Sequence, residues 1–383
     1  MNFTFESCRS LLCETGAIQR LADVCKERSI SRPMLVTDQG MMATGLVDKT
    51  LAQLEAAGIT VLLYNDVQAD PPAEVVLDAA EQAKNAGIDS VIGFGGGSSM
   101  DVAKLIAVLS KGNQALEEMY GVGLIKGERL PLIQIPTTAG TGSEVTPIAI
   151  VTTGETTKSG IVSPQLLPDL AILDAELTIS LPPHVTAATG IDAMVHAIEA
   201  YTSKLRKNPY SDMLAKQALT LLSTNIKTAV FDGDNLAARS QMLLGAMLAG
   251  QAFANAPVAA VHALAYPLGG HYHLSHGLSN SLVLPHVLQF NKPKASAHYA
   301  ALLPCIAPQK VSGDEQKDTE QFISAIEQLI IDVELPTRLR DCGVTESALA
   351  MLAEDAMKQS RLLVNNPREV KLADALDIYQ AAY

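Results

Sequence analysis

The feature that most constrains this chain is a long stretch without charge. From residue 240 to 291 there is no Asp, Glu, Lys or Arg, yet Val261–Gly277 holds four of the chain's eight histidines. Gln251, Asn255 and Pro257 interrupt the apolar runs before they reach the roughly 20 residues that a membrane-spanning helix needs. We therefore expect buried helices in a protein core, where the imidazoles require polar partners.

An upstream motif supplies a carboxylate. In GIDAMVHAIEAY (190–201), Asp192 and His196 are four residues apart, a spacing that places both side chains on one face of a helix. One carboxylate and several imidazoles in an apolar shell form a donor set for Fe²⁺, Zn²⁺, Co²⁺ or Ni²⁺. Any one histidine is more often a core residue than a ligand, but their number favours a metal site. The pattern does not choose among the remaining imidazoles, His262, His271, His273, His276 and His286.

Length and charge limit the classes of protein to consider. A chain of 383 residues predicts two domains, and 48% hydrophobic residues are enough for two cores. The net charge of -13 disfavours nucleic acid and anionic membranes as partners. The five scattered cysteines contain no CxxC pair, and MNFTFESCRS does not resemble a secretory signal, so we expect reduced thiols in a cytoplasmic protein.

In the first half of the chain, short apolar runs typical of buried strands alternate with amphipathic runs that have the period of a helix. Predicted strands cover 34–37, 61–64, 91–94 and 132–135, and predicted helices cover 46–57, 73–86 and 100–109. A hairpin is predicted over 146–153 and 159–163, around Gly154. This alternation predicts an α/β domain over residues 1–180, in which a parallel, Rossmann-like sheet has helices on both faces. The loops that follow its strands make it the expected dinucleotide-binding domain.

The second half, residues 181–383, is predicted to be an all-helical domain that carries the metal and the catalytic site. Its predicted helices are 191–201, 211–222, 236–254, 320–333, 346–359 and a terminal helix.

Three loops that follow predicted strands contain groups that bind nucleotides. In VIGFGGGSSMD (91–101), Gly96, Gly97 and Ser98 precede a helix whose free N–H groups attract a phosphate, although a tight turn without a ligand is an equal alternative. Asp38 ends another strand, where its carboxylate would bind the ribose hydroxyls of NAD and repel the extra phosphate of NADP; taken alone, it is also explained as a helix cap. Because Asp38 precedes the glycine loop, the standard dinucleotide fingerprint does not apply. The third loop, IPTTAGTGSE (135–144), is rich in hydroxyls.

Five ordered motifs together resemble the iron-containing (group III) alcohol dehydrogenase family. The motifs are GGGSSMD, IPTTAGTGSE, GIDAMVHAIEAY, VHALAYPLGGHYHLSHGLSNSLVLPHV and a terminal NPRE segment. The resemblance covers nearly the whole chain and implies a dehydroquinate synthase-like architecture and a homodimer. It also implies that NAD and Fe²⁺, with Zn²⁺ as the alternative metal, are the cofactors. The implied metal ligands are Asp192, His196, His262 and His276.

The same resemblance assigns residues to the nucleotide and the substrate. The implied NAD contacts are Asp38, Asp70, Gly96, Gly97, Ser98, Thr137, Thr138, Thr146, Ile148, Lys158 and Leu177. Asp70 departs from the asparagine that many members carry. Tyr266 replaces a histidine that some members have near the nicotinamide, so Tyr266 or His271 is the expected proton relay. Phe253, Leu264 and Tyr266 are predicted to form an uncharged substrate pocket.

The predicted function is NAD-dependent interconversion of a small primary alcohol and its aldehyde in a cleft between the halves, with the divalent metal as a Lewis acid on the alcohol or carbonyl oxygen. A glycerol or other polyol dehydrogenase of the same superfamily is the nearest alternative. A metal-dependent lyase or hydrolase, which would bind metal but no NADH, is the alternative from another class. A non-catalytic protein with a buried histidine cluster would bind no metal.

Overall fold

The computed structural model describes residues 2–154 and 157–383 and divides the chain into two compact units. One unit is Glu6–Ser180, and the other contains Leu181–Tyr383. The first residues, through Phe5, group with the second unit, whereas the predicted domain 1–180 included them. There, the Phe3 and Phe5 rings lie 5.8 and 5.6 Å from the Tyr210 ring.

The first unit is built on a six-stranded, fully parallel sheet with the order β1-β9-β6-β4-β2-β3, as the alternating pattern predicts. A second, three-stranded sheet has the order β5-β8-β7, in which β7 and β8 form the predicted antiparallel hairpin. The strands are β1 (Leu11–Cys13), β2 (Pro33–Val36), β3 (Leu62–Tyr64), β4 (Ser90–Gly95), β5 (Gly121–Val122), β6 (Leu132–Pro136), β7 (Ile148–Thr153), β8 (Thr157–Val162) and β9 (Leu170–Leu173). The helices are α1 (Leu21–Glu27), α2 (Gln39–Ala43), α3 (Leu46–Ala56), α4 (Ala73–Ala86) and α5 (Gly97–Lys111).

Both faces of the large sheet are buried. Met34 and Val36 of β2 belong to one apolar cluster, which includes residues of α4 and α5, and Leu35 belongs to another, which includes residues of α1 and α3. Because successive side chains of a strand point to opposite faces, a strand covered on both sides reads as a continuous apolar run. This burial explains why short runs such as PMLV identify the strands.

The second unit is helical throughout. Its helices are α6 (Pro183–Thr202), α7 (Pro209–Phe231), α8 (Leu236–Asn255), α9 (Ala260–Tyr272), α10 (His276–Ile306), α11 (Glu315–Asp332), α12 (Leu349–Met357), α13 (Ser360–Leu363) and α14 (Leu372–Ala382). The uncharged stretch spans α8, α9 and the first half of α10, and most of its residues are buried. In the described chain no single helix has both the length and the apolarity to cross a membrane; α8 and α9 reach that threshold only as a pair, which is bent by 108°.

A buried lysine fixes α5 to the loop that follows β6. The Lys104 side chain is fully buried, and its Nζ donates to Ser143 Oγ (2.7 Å), to Thr146 Oγ1 (3.2 Å) and to the Ile148 carbonyl (2.6 Å). The nearest carboxylate oxygen, on Asp101, lies 3.6 Å away and accepts from Ser143 Oγ. Burial lowers the pKa of Lys104, because the charged form has lost its water.

Glu144 gives this cluster a pH dependence. Burial raises the pKa of Glu144 to about 7, although a backbone hydrogen bond and the Lys104 charge oppose the shift. A carboxyl group whose folded pKa lies above its unfolded pKa contributes stability that is complete at low pH and is lost as the pH rises through the folded value. Glutamine does not titrate, so the Glu144→Gln variant does not show this loss. We expect the free energy of unfolding of the variant, minus that of wild type, to be about 3 kcal/mol higher at pH 8 than at pH 5.

Thermal or urea unfolding of both proteins at several pH values measures this gain. Glu55→Gln, at an exposed position in α3, is the matched control and should show no such trend. If the free energies of unfolding of Glu144→Gln and wild type differ by the same amount at pH 5 and pH 8, the prediction is wrong.

Candidate functional site

Three loops meet at one edge of the large sheet. Asp38 follows β2, Gly96 follows β4 and Thr137 follows β6, and these three strands are neighbours in the order β6-β4-β2. Since the strands are parallel, their carboxyl ends lie at the same edge, which is where open α/β sheets bind ligands.

Asp38, Gly96, Gly97 and Ser98 line one cavity of about 380 Å³. Asp38 Oδ1 accepts a hydrogen bond from the Met41 N–H (2.9 Å) and so caps α2, and Oδ2 accepts from Ser99 Oγ (3.0 Å). The helix cap that the sequence offered as an alternative is therefore present, and it places the carboxylate in the same cavity as the glycine loop. The first turn of α5 also starts here, so its N–H groups have no partner within the helix.

Two of the loop's three glycines leave no room for a side chain. A Cβ on Gly97 would lie 2.8 Å from Thr141 Cγ2, and one on Gly95, whose φ is 156°, would lie 2.8 Å from Ser99 Oγ. The third loop therefore packs directly on the backbone of the glycine loop. In the described part of the chain the buried Thr138 Oγ1 has no hydrogen-bond partner, a property expected of a group that binds a ligand.

The other predicted nucleotide contacts lie in three different settings. Thr146 Oγ1 and the Ile148 carbonyl accept from Lys104, as described above. Lys158 Nζ donates to Asp70 Oδ1 at 2.6 Å, which joins two predicted contacts in one ion pair. Leu177 is 2% exposed and belongs to the apolar core of the unit.

In the helical unit, the predicted metal ligands come together. Asp192 and His196 lie on α6, His262 on α9 and His276 at the first position of α10. One potential ligand atom from each side chain lies within 4.8 Å of the others. Asp192, His196 and His262 are each at most 4% exposed, whereas the His276 side chain is 32% exposed. The cluster is therefore closed around three donors and accessible beside the fourth.

A close approach of two helices places His276. A Cβ on Gly277, the next residue, would lie 2.3 Å from the Ala188 carbonyl oxygen of α6. Only a residue without a side chain permits this contact, because a backbone atom cannot move away as a side-chain tip does. The Gly that follows His276 is therefore part of the site's geometry.

The donor set fits a divalent cation. His276 Nε2 lies 3.6 Å from Asp192 Oδ1, and the Asn280 amide nitrogen lies 2.6 Å from the same oxygen, 3.2 Å from His276 Nε2 and 3.4 Å from His262 Nε2. Burial alone would raise the pKa of Asp192, but the three imidazoles and the Asn280 amide outweigh it and hold that pKa below its ordinary value. The carboxylate is thus ionised, as a metal ligand must be.

Aromatic rings surround the imidazoles. Phe253 stacks on His196 with ring centroids 4.3 Å apart, and Tyr266 is tilted against His276 at 6.0 Å. Both rings therefore lie beside candidate metal ligands, and their role in a substrate pocket stays a prediction. Leu264 is fully buried, and its carbonyl accepts from Tyr379 Oη at 2.6 Å, which argues against a direct contact with substrate.

The remaining histidines of this segment have other surroundings. His271 Nε2 is paired with Asp355 Oδ2 at 2.5 Å, so a relay through His271 would have to compete with that pair. His273 ends α9 with a φ of 54°, in the left-handed region. Burial lowers the pKa of His286.

Two contacts of the cluster were absent from the sequence prediction. Glu199 Oε2 lies 2.6 Å from His262 Nδ1, and Asn280 lies within reach of three of the four candidate ligands. The spacing held a signal for Glu199, because residues 192, 196 and 199 follow the i, i+4, i+7 pattern of one helix face. For Asn280, the matching signal is the four-residue spacing from His276.

The chain is similar to known proteins over nearly its whole length. Residues 8–175 match the family model described as iron-containing alcohol dehydrogenase, and residues 186–383 match the C-terminal model of the same family. Long-chain-alcohol dehydrogenase 1 from Geobacillus thermodenitrificans is 40% identical over 96% of this chain and 93% of its own length.

Several solved structures are similar over the full length of this chain, and two are described here. A 1,3-propanediol oxidoreductase has a TM-score of 0.96 at 35% identity and is covered over 100% of its chain. Sulfoacetaldehyde reductase from Bifidobacterium kashiwanohense, in complex with NAD⁺, has a TM-score of 0.90 at 28% identity and is covered over 99% of its chain. The chain therefore belongs to the iron-containing alcohol dehydrogenase family and is an oxidoreductase of alcohols and aldehydes.

Proposed function

We propose that this protein is an NAD-dependent dehydrogenase that interconverts a small primary alcohol and its aldehyde, with Asp192, His196, His262 and His276 holding Fe²⁺. The observation that carries the proposal is the approach of one carboxylate oxygen and three imidazole nitrogens to within 4.8 Å of one another. Three nitrogens and one carboxylate oxygen suit Fe²⁺, with Zn²⁺ as the alternative.

When bound, the metal supplies Lewis acidity at the substrate oxygen, and NAD accepts or returns the hydride. The protein's residues prepare this chemistry. The ionised carboxylate of Asp192 and the three imidazoles provide the donors, while Phe253 and the uncharged stretch exclude water. Exclusion of water strengthens each electrostatic interaction within the site. Tyr266, beside the more exposed His276, is the proposed proton relay.

The three loops of the α/β unit form the proposed nucleotide site. Gly96, Gly97 and Ser98 would receive the pyrophosphate at the start of α5, and Asp38 would accept from the ribose hydroxyls. Thr137 and Thr138 follow the adjacent strand, and the unpaired Thr138 hydroxyl supports a ligand at this position. A carboxylate at the ribose favours NAD over NADP, because the 2′-phosphate would face a negative charge.

An uncharged alcohol is the proposed substrate. Residues 240–291, which include two of the four candidate ligands, contain no lysine or arginine to bind a sulfonate or a carboxylate. The aromatic rings of Phe253 and Tyr266 suit an apolar chain. A diol or glycerol dehydrogenase is the second candidate, supported by the similarity to 1,3-propanediol oxidoreductase.

We also place the protein in the cytoplasm as a homodimer. The five cysteines are all unpaired, which suits a reducing compartment. Within the described residues, β1 pairs only with β9, which leaves one edge of the large sheet available to a second copy. Light scattering after gel filtration measures the oligomeric state.

Removing one candidate ligand tests the metal site. We expect His262→Ala to lose or weaken metal binding and to abolish turnover, while NADH still binds, because three donors remain around a cation that needs four. Metal analysis by mass spectrometry and NADH fluorescence titration measure the two effects. Phe290→Leu, outside the cluster, is the control. Turnover by a His262→Ala protein that retains its metal would disprove the ligand assignment.

Removing the carboxylate at the end of β2 tests cofactor choice. Asp38→Gly should raise kcat/KM with NADP relative to that with NAD by roughly tenfold or more, since one repulsive charge beside the 2′-phosphate is worth over 1 kcal/mol. The loss of the α2 cap should also lower Tm slightly. Asp66→Gly, on the neighbouring loop after β3, is the control. An unchanged NAD-to-NADP ratio would remove Asp38 from the ribose site.

Substrate assays separate the candidate functions. Protein purified without oxygen and loaded with Fe²⁺ or Zn²⁺ is assayed with ethanol to hexanol, 1,3-propanediol, glycerol and sulfoacetaldehyde, each with both nicotinamide cofactors. We expect the highest kcat/KM for unbranched primary alcohols with NAD. A preference for glycerol or for the sulfonated aldehyde would overturn the substrate assignment and leave the metal site untouched.

A further inference from the structure

We propose that Glu199 is a positioning residue that holds His262 in the one neutral tautomer able to bind a metal. The inference rests on the proposed metal site, because it assigns a role toward that metal. Glu199 is 4% exposed; its Oε2 lies 2.6 Å from His262 Nδ1, and its Oε1 accepts from the Val261 N–H at 2.7 Å.

The tautomer follows from the chemistry of the pair. A neutral imidazole carries one N–H, and an ionised carboxylate only accepts hydrogen bonds, so the proton must be on His262 Nδ1. The lone pair then belongs to Nε2. That nitrogen faces the cluster, since it lies 3.4 Å from the Asn280 amide nitrogen that also contacts Asp192 and His276. Glu199 thus prepares His262 before the metal arrives.

The second oxygen of Glu199 fixes the helix that carries His262. Val261 is the second residue of α9, whose own N-cap residue, Ala259, has no side-chain hydrogen-bonding group. Glu199 satisfies this N–H from α6, and an anion at a helix N-terminus is also favoured by the helix dipole. One carboxylate therefore sets the tautomer of the His262 ring and also holds the backbone of α9 beside His262.

The arrangement also balances charge. Asp192, His196 and Glu199 share one face of α6, and Glu199 Oε2 contacts His262. With both carboxylates ionised and the three imidazoles neutral, as metal ligands must be, these side chains would carry a net charge of minus two, which a divalent cation neutralises. A buried site of this kind favours a divalent over a trivalent ion, because an uncompensated buried charge is costly. Glu199→Gln would leave the metal-loaded site with one excess positive charge.

Glu199→Gln tests the tautomer directly. The glutamine oxygen still accepts from the Val261 N–H, but its amide nitrogen now donates to His262 Nδ1 and moves the ring proton to Nε2, where it blocks the metal. We expect the dissociation constant for Zn²⁺ or Co²⁺ to rise about 10- to 100-fold. Glu199→Asp, which keeps the charge and loses one methylene, should recover part of the affinity.

Two measurements decide the matter. Metal-free protein is titrated with Zn²⁺ or Co²⁺ against a competing chelator, and the His262 tautomer is measured by ¹⁵N NMR on metal-free, histidine-labelled protein. Asp318→Asn is the matched control, because this buried carboxylate of α11 accepts from Ser312 and Gly313 and contacts no candidate ligand. It should lower Tm without changing metal affinity or tautomer.

The outcomes separate this inference from the proposed function. Wild-type metal affinity in Glu199→Gln, or an Nε2–H tautomer in the wild type, overturns the role of Glu199 and leaves the metal site in place. A wild-type protein that binds no divalent ion refutes the metal site, while the NMR measurement still tests the His262–Glu199 pair. If Glu199→Gln does not fold, the NMR measurement on the wild type still tests the tautomer, and the metal titration of Glu199→Asp tests the affinity.

Discussion

Removal of charged and polar groups from water is the constraint on which this structure depends. In the helical unit, Asp192 and Glu199 lie at most 4% exposed among apolar side chains, where an isolated carboxylate would be unstable. They are tolerated because polar groups surround them: three imidazoles and the Asn280 amide near Asp192, and His262 with the Val261 N–H at Glu199. The same low polarity strengthens every interaction that a bound cation would make.

The α/β unit applies the same principle with the opposite charge. Lys104 is fully buried, and its Nζ donates hydrogen bonds to three oxygens from the loop after β6 and the start of β7. This single cation joins the helix after the glycine loop to the threonine-rich loop. A buried polar network therefore holds two of the three loops of the proposed nucleotide site together.

Close backbone contacts complete both sites. Gly277 allows α10 to touch α6 beside His276, and Gly97 allows the third loop to touch the start of α5. In each case a methyl group would lie within 3 Å of a neighbouring atom. The glycines of the motifs thus set distances between elements, in addition to their role near ligands.

The sequence by itself determined four strands of the parallel sheet, the hairpin, most helices and the histidine-rich helical half, because hydrophobic periodicity and glycine loops are local signals. It missed β1, β5 and β9, which have only two to four residues each and are too short to show a periodicity. Helix α5 begins three residues earlier than predicted, since Gly97, Ser98 and Ser99 form its first turn. The ligand set came from the family resemblance, because spacing alone left five histidines open. Only the tertiary structure brought His262 and His276 to Asp192, paired His271 with Asp355, placed Leu177 in the core and joined Glu199 to His262. These contacts link residues up to 84 positions apart, and such separations are set by how helices pack and not by the pattern within any one of them.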